Sequence, residues 1–256
     1  MAACTDNEDP ASAADEATAS TEQDVSWTST TWHACSSLSC SWSLGDPATT
    51  TCFLAGLTGK LSAGSASYPA GANVVNNGTY WGLYILNPNY ENIGVMTTCI
   101  TATANRVSAG WYGGAATQIN NATATRRCFL AGIYNYNYKA FSTFDTNVQV
   151  WRDGAVHFIG GTLPSGSSVS VAATCVDVPT QDGSGWAYGN GTANTVVGNI
   201  SYNSAPGGTA CGLTGLGGQF LTADPNKGVW IGYDSSTRYW NWTLTPWTGA
   251  YANCVR

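Results

Sequence analysis

The sequence predicts an all-β fold built from three internal repeats of short antiparallel strands, packed with pseudo-threefold symmetry as in a prism or a trefoil. The phrase CFLAG begins at Cys52 and again at Cys128, and a variant of it, CGLTG, begins at Cys211. A second cysteine follows each of these after 47, 47 and 43 residues. No segment keeps the i, i+3, i+4 apolar period of a helix, and Gly and Pro recur throughout.

The chain divides on this pattern into a tether and three repeats. Residues 1–24 contain seven acids and no Lys or Arg and are rich in Ala, Ser and Thr, which predicts a flexible acidic tether. The repeats are placed at residues 25–100, 101–176 and 177–256. Their 11 Trp, 13 Tyr and many β-branched residues suit strands joined by turns.

Each repeat contains a candidate hairpin. Gly78 in VVNNGTYWGL and Gly154 in VWRDGAVHFI each lie 21 residues before the closing cysteine of their repeat. Asn-Gly and Asp-Gly favour type I′ turns because both central residues need positive φ. The third repeat has the looser turn IGYDSSTRYWNW at the corresponding place. Pro88, Pro164 and Pro246 follow the three hairpins and are expected to interrupt pairing.

Eight of the 9 cysteines fit an orderly disulfide scheme. The repetition predicts one bridge in each repeat and one short local loop, pairing Cys52 with Cys99, Cys128 with Cys175, Cys211 with Cys254 and Cys35 with Cys40. Zinc is disfavoured because the chain has no CxxC pair and only His33 and His157 to assist, so no metal or other cofactor is expected. The bridges predict an oxidising location, either the periplasm, the cell surface or the medium.

The ninth cysteine, Cys4, lies alone in the acidic tether. Ala2 and Ala3 before it and the polar stretch after it resemble the end of a bacterial lipoprotein signal. One hypothesis is therefore that Cys4 is lipidated and anchors the protein to a membrane, and the alternative is an incidental cysteine in the tail. The sequence has no run of about 20 apolar residues, so no membrane-spanning helix is expected.

The charge distribution excludes nucleic acid as an expected partner. Seven of the 15 acids lie in the tether, which leaves eight acids against 9 bases in the rest of the chain. Nucleic-acid binding needs clustered Lys and Arg, and the body has only the pair Arg126 and Arg127, interpreted as a solvated approach to a strand.

The sequence offers no clear catalytic constellation. There is no GxSxG motif, and His157 aligns by spacing with Trp81 and Trp240, which predicts a packing position rather than a general base. The acids of the body lie mostly in turn contexts, and none recurs in all three repeats. A binding protein is favoured over an enzyme, and a secreted hydrolase with its site in one repeat remains an alternative.

Aromatic residues beside Asn point to carbohydrate binding, because rings stack on the apolar face of a pyranose and amides bond its hydroxyls. The predicted stacking residues, one in each repeat, are Tyr80, Tyr136 and Trp242, with Asn77, Asn137 and Asn241 as their hydrogen-bonding neighbours. Trp27, Trp111 and Trp186, which precede the first cysteine of each repeat, are expected in the core.

Besides that hydrolase, two classes of function remain open from the sequence. The first is an extracellular or cell-surface protein that is lectin-like or adhesin-like and binds neutral glycans or a cell-surface partner multivalently. The second is a structural subunit of a cell envelope or filament. Solvent-facing aromatic clusters would indicate the first, and long unpaired apolar strand edges the second. The threefold β organisation is similar in outline to lectins, an analogy of fold alone.

Overall fold

A computed structural model describes residues 25–179, 181–189, 195–202 and 208–256, and it is all-β as expected. The first six strands are β1 (Trp27–Cys35), β2 (Ser39–Gly45), β3 (Thr51–Thr58), β4 (Ala70–Asn76), β5 (Trp81–Leu86) and β6 (Ile93–Ile100). The next six are β7 (Val107–Trp111), β8 (Thr117–Asn121), β9 (Arg126–Asn135), β10 (Asn147–Asp153), β11 (Val156–Thr162) and β12 (Val169–Asp177). The rest are β13 (Gln181–Tyr188), β14 (Thr195–Tyr202), β15 (Ala210–Gly218), β16 (Gly228–Asp234), β17 (Tyr239–Leu244) and β18 (Thr248–Val255).

Helical structure in the described ranges is limited to two single 3₁₀ turns, Leu61–Ala63 and Pro88–Tyr90. Within those ranges no helix is long and apolar enough to cross a membrane. The predicted acidic tether at residues 1–24, including Cys4, lies outside the described residues.

The strands form three antiparallel sheets of six strands each. Sheet A has the order β1-β6-β3-β16-β17-β14, sheet B has β2-β5-β4-β9-β12-β7, and sheet C has β13-β18-β15-β10-β11-β8. In each run of six successive strands the third pairs with the sixth, and the fourth pairs with the fifth. The fourth strand of one run pairs with the third strand of another, as β4 with β9, β10 with β15 and β16 with β3. Each sheet therefore joins two runs of the chain.

The phrase CFLAG and its variant form the buried strands β3, β9 and β15, which pack against one another. Each first cysteine lies directly opposite its partner in the neighbouring strand, with Cα atoms 4.1, 3.9 and 4.1 Å apart. All four predicted disulfides are present, namely Cys52–Cys99, Cys128–Cys175, Cys211–Cys254 and Cys35–Cys40.

The fourth and fifth letters of the phrase also have structural roles. The strand register shifts at the fourth residue of the phrase in all three strands, which is the signature of a β-bulge. The glycine that follows lies against a neighbouring strand. A Cβ atom on Gly56 would lie only 2.5 Å from the Cβ of Trp230, and one on Gly215 would lie 3.0 Å from the Cβ of Gln149. Glycine is therefore needed where two runs of strands meet.

Two aromatic contacts lie within the interior between the sheets. The rings of Phe53 and Phe129 stack with 4.0 Å between centroids and 10° between planes. Phe141 and Phe220 meet edge to face with 5.8 Å between centroids. The Phe220 N–H also donates to the Phe141 carbonyl at 2.8 Å, so the loop before β10 is tied to the loop after β15.

Arg126 and His157 are both buried, which was not expected for the first and was expected for the second. Arg126 is 6% exposed and forms an ion pair with Asp177 at 3.0 Å, so the expectation that it is solvated is wrong. Its aliphatic stem is buried in β9, and a carboxylate compensates its charge. His157 is buried like Trp81 and Trp240, which confirms that the three aligned positions pack in the interior.

Candidate functional site

The predicted stacking residues do not come together in one place. Tyr80 directly precedes β5 and Tyr136 directly follows β9, so both lie at sheet B, whereas Trp242 lies in β17 of sheet A. Two residues from different predicted repeats share a sheet because β4, the hairpin partner of β5, pairs with β9.

Trp242 is 4% exposed and packs in the hydrophobic core, which corrects its expected role as an open stacking surface. The reason is the alternation of side chains along β17. Trp240, Trp242 and Leu244 point inward, and Asn241 between them is partly exposed. Removing Trp242 would open a core cavity rather than a ligand site.

The predicted asparagines at sheet B form turns. The Asn77 side-chain oxygen accepts hydrogen bonds from the backbone N–H groups of Thr79 and Tyr80, each at 2.9 Å. The Asn137 amide donates to the Gly166 carbonyl at 2.8 Å, and its oxygen accepts from the Lys139 N–H at 3.1 Å. These contacts give both side chains a structural role in the local backbone.

A different group of exposed rings lies together at sheet C, and it is named here the aromatic cleft. Its members are each 38 to 70% exposed and are Phe144, Trp186, Tyr188, Trp247 and Tyr251. All of them except Trp247 line a cleft of about 170 Å³, to which Gly217 and Gly249 also contribute. The centroid of Phe144 lies 4.6 Å from that of Trp247 and 6.2 Å from that of Tyr188.

Strand register places three of these rings on the outer face of sheet C. Trp186 and Tyr188 in β13 flank Ala187, which is buried, so both rings point away from the core. Tyr251 in β18 lies directly opposite Trp186. Tyr188 lies opposite Gly249, where a Cβ atom would approach the Tyr188 ring to 2.8 Å. The ring therefore lies over the glycine.

Loop hydrogen bonds hold the other two rings. The Trp247 N–H donates to the Gly189 carbonyl at 3.1 Å, and the Trp247 carbonyl accepts from the Gln219 N–H at 2.8 Å. The loop that carries Phe144 is held where the Thr146 carbonyl accepts from the Gly218 N–H at 2.9 Å. Because these bonds fix the backbone, the loops that carry the two rings need little further ordering when a ligand binds.

The electrostatic character of the cleft is simple. Among the described residues that line it, there is no Lys, Arg, His or carboxylate. Burial raises the pKa of Tyr188, and the nearby Asp145 carboxylate raises it further. The Tyr188 hydroxyl therefore stays protonated at neutral pH and remains a hydrogen-bond donor.

The comparisons with known proteins identify no relative. No family model matches the chain, and no curated protein or solved structure is significantly similar to it. Function therefore rests on the chemistry of the cleft. In the described ranges no three His, Cys, Asp or Glu side chains come together in a way that could hold a metal ion.

The sequence did contain a signal for this site. Trp186 and Tyr188 are two residues apart in SGWAYG, the spacing that places side chains on one face of a strand. The alignment of Trp186 with Trp27 and Trp111 hid that signal. Trp111 is 1% exposed, as expected for the core, whereas Trp186 is 70% exposed and the expectation for it was wrong. The Trp27 side chain lies outside what the structure describes.

Proposed function

We propose that the protein is an extracellular, lectin-like protein that binds a neutral carbohydrate at the aromatic cleft. The observation that carries this proposal is the group of open rings around a cleft lined by no charged residue. Aromatic faces stack on the C–H faces of pyranose rings, and the Tyr188 hydroxyl supplies a hydrogen-bonding group in the cleft.

The distribution of carboxylates favours binding over hydrolysis. A glycosidase ordinarily needs two carboxyl groups that flank the scissile bond. In the described part of the chain, no carboxylate lines the cleft, and Asp145 is the acid that influences Tyr188. The rings can hold a sugar there, and among the described residues no pair of acids lines the cleft to cleave it.

The four disulfides indicate an oxidising, extracellular environment. Attachment to a cell surface through a lipid on Cys4 remains part of the proposal and falls outside the described residues. Mass spectrometry of native protein should find diacylglyceryl on Cys4, and an unmodified thiol in membrane-free fractions would contradict the anchor.

We also propose that the recurrent strand pairing reflects three repeats arranged about a pseudo-threefold axis in a prism-like body. Each run of six strands contains a β-bulge, a disulfide and a glycine at its contact with another run. This recurrence supports the arrangement. The outer faces differ, however. Sheet A carries Trp32 and Trp230, 6.2 Å apart between centroids, and lacks a counterpart of the five-ring cleft in its described part. One principal site for each chain is therefore proposed, on sheet C.

A glycan array and one pair of variants test the proposed function. The purified protein should bind neutral glycans, and binding should change little between low and high salt because no charge pairing is involved. Trp186→Ala should weaken that binding about tenfold, a typical effect for an aromatic hot spot. Its melting temperature should stay unchanged because the ring is 70% exposed.

Tyr112→Ala is the matched control. Tyr112 is 78% exposed, follows β7, the edge strand of sheet B, and is not among the residues that line the cleft. This variant should bind as the native protein does. Full binding by Trp186→Ala, or an equal loss in both variants, would contradict the site, and an array without any bound glycan would contradict the function.

A further inference from the structure

We propose that the ligand of this site is an extended, β-linked neutral polysaccharide that lies across the strands of sheet C. This inference rests on the proposed function and defines its ligand class. It comes from a row of residues that continues from the cleft to the far side of the sheet.

The row is defined by strand register. Trp186 of β13 pairs with Tyr251 of β18, and Tyr251 pairs with Gly215 of β15. Gly215 pairs with Gln149 of β10, which in turn pairs with Gly160 of β11. Directly paired residues project from the same face of a sheet, so these five positions form one line across it.

The two glycines in the row are covered by aromatic rings. A Cβ atom on Gly215 would lie 2.7 Å from Cδ2 of Tyr251. One on Gly160 would lie 3.0 Å from the Cβ of Ala116 and 3.2 Å from Cη2 of Trp151. The Tyr251 ring therefore occupies the space above Gly215, and the Trp151 ring shares the space above Gly160 with Ala116. Trp151 is further supported by Phe158, whose centroid lies 5.7 Å away at an interplanar angle of 22°. Trp186, Tyr251 and Trp151 thus provide three stacking surfaces along one line.

The spacing of these surfaces selects the ligand. Neighbouring strands lie about 4.8 Å apart, so the positions above β13, β15 and β11 follow one another at intervals of about 10 Å. In an extended β-1,4-linked chain every second pyranose presents the same face, and its repeat has about this length. A curved α-linked chain would leave the row after the first surface.

The chemistry of the row also favours an uncharged ligand. Gln149 lies between the rings of Tyr251 and Trp151, and its uncharged amide can donate to and accept from sugar hydroxyls. No residue of the row is charged, so a chain of uronic acids would gain no ion pair. The corresponding line in sheet B has no ring on its first three strands and one ring at its far end, and it runs through Gly110, Ala172, Gly132, Asn73 and Tyr84.

Calorimetric titration with oligosaccharides of defined length tests the inference. The probes are disaccharides and hexasaccharides of β-1,4-linked glucose, N-acetylglucosamine, mannose and xylose, together with the α-1,4-linked glucose hexasaccharide. At least one β-linked hexasaccharide should bind about tenfold more tightly than its disaccharide and than the α-linked hexasaccharide. Trp151→Ala should remove that tenfold difference and leave disaccharide affinity within about twofold.

Two further variants guard against loss of structure. Trp151→Leu keeps an apolar side chain over Gly160 while removing the flat ring, so it should melt near the native temperature and still lose the length dependence. Trp230→Ala removes a partly exposed tryptophan of sheet A and should leave both affinities unchanged.

The outcomes separate this inference from the proposed function. If both Trp151 variants keep the preference for the hexasaccharide, or Trp230→Ala loses it, the extended row is wrong while binding at Trp186 stands. Equal affinity for the α-linked and β-linked hexasaccharides would likewise overturn the linear ligand. If none of the saccharides binds, the proposed function and the inference both fail.

Discussion

Phe53 and Phe129 stack face to face with 4.0 Å between ring centroids, and the third equivalent position in the chain is Gly212. A Cβ atom on Gly212 would collide with the Phe53 ring and lie 2.9 Å from Cδ1 of Phe129. Three phenylalanines would not fit where two rings fill the space. The variant phrase CGLTG is therefore complementary to the two copies of CFLAG.

Gly212→Ala should lower the free energy of unfolding by about 1 to 3 kcal/mol, because the added methyl group forces the stacked rings apart. Urea denaturation followed by circular dichroism measures the change. Gly232→Ala is the matched control, since a Cβ atom at that position in β16 meets nothing within 4 Å. Its effect should stay within about 0.5 kcal/mol. Equal effects of the two substitutions would contradict the packing argument.

The long disulfides should stabilise the fold more than the short one. In the chain-entropy model, closing a loop of 47 residues contributes about 4 kcal/mol, and closing the loop of 5 between Cys35 and Cys40 contributes about 2. Replacing Cys52 and Cys99 together by Ala should therefore cost more than replacing Cys35 and Cys40. Urea denaturation of the two double variants measures both losses in the free energy of unfolding. A larger loss in the variant without Cys35 and Cys40 would contradict the prediction.

The fold class and the disulfides could be predicted because their signals are repeated and local. The phrase around each first cysteine forms a buried strand, and its partner cysteine lies directly opposite in the next strand. Pairing each first cysteine with the second cysteine of the same repeat therefore gives the observed disulfides. The pairing of β4 with β9 had no such signal, because it depends on packing between distant segments.

The site was missed because the exposure of its rings depends on strand register, which the alignment of the repeats does not give. Trp111 pairs with Val171, which lies four residues before Cys175, the closing cysteine of its repeat. Trp186 pairs with Tyr251, which lies only three residues before the corresponding Cys254. A difference of one residue moves a side chain to the opposite face of a sheet. Trp111 consequently lies in the core and Trp186 in solvent, although the sequence makes them appear equivalent.

The ion pair between Arg126 and Asp177 should be worth much more than the one between Lys60 and Glu91. The side chains of the first pair are 7 and 15% exposed, and those of the second are 35 and 20% exposed. Asp177→Asn leaves a buried guanidinium without its counter-charge and should cost about 3 kcal/mol. Glu91→Gln should cost less than about 1 kcal/mol. Urea denaturation at pH 7 measures both, and similar losses would show that Arg126 finds compensation elsewhere.

His157 should make the protein less stable in mild acid. It is 4% exposed, and its Nδ1 atom has no hydrogen-bond partner among the described residues. Burial lowers the pKa of His157 to about 4, and the charges of Arg152, Arg126 and Arg127 act in the same direction. The unfolded chain has a histidine pKa near 6.5, so it binds a proton at a pH where the folded protein does not.

Stability should therefore fall as the pH drops below about 6.5 and level off near pH 4, with a loss from this group of about 2 kcal/mol between pH 8 and pH 5. His157→Phe removes the titrating group and keeps an aromatic ring at a position where Trp81 and Trp240 are buried in the other two cases. Urea denaturation across this pH range should show a flatter profile for the variant. His33→Phe is the control, because burial also lowers the pKa of His33, but this histidine is only partly buried and its removal should flatten the profile less. Identical profiles for the native protein and His157→Phe would show that His157 is not the group responsible.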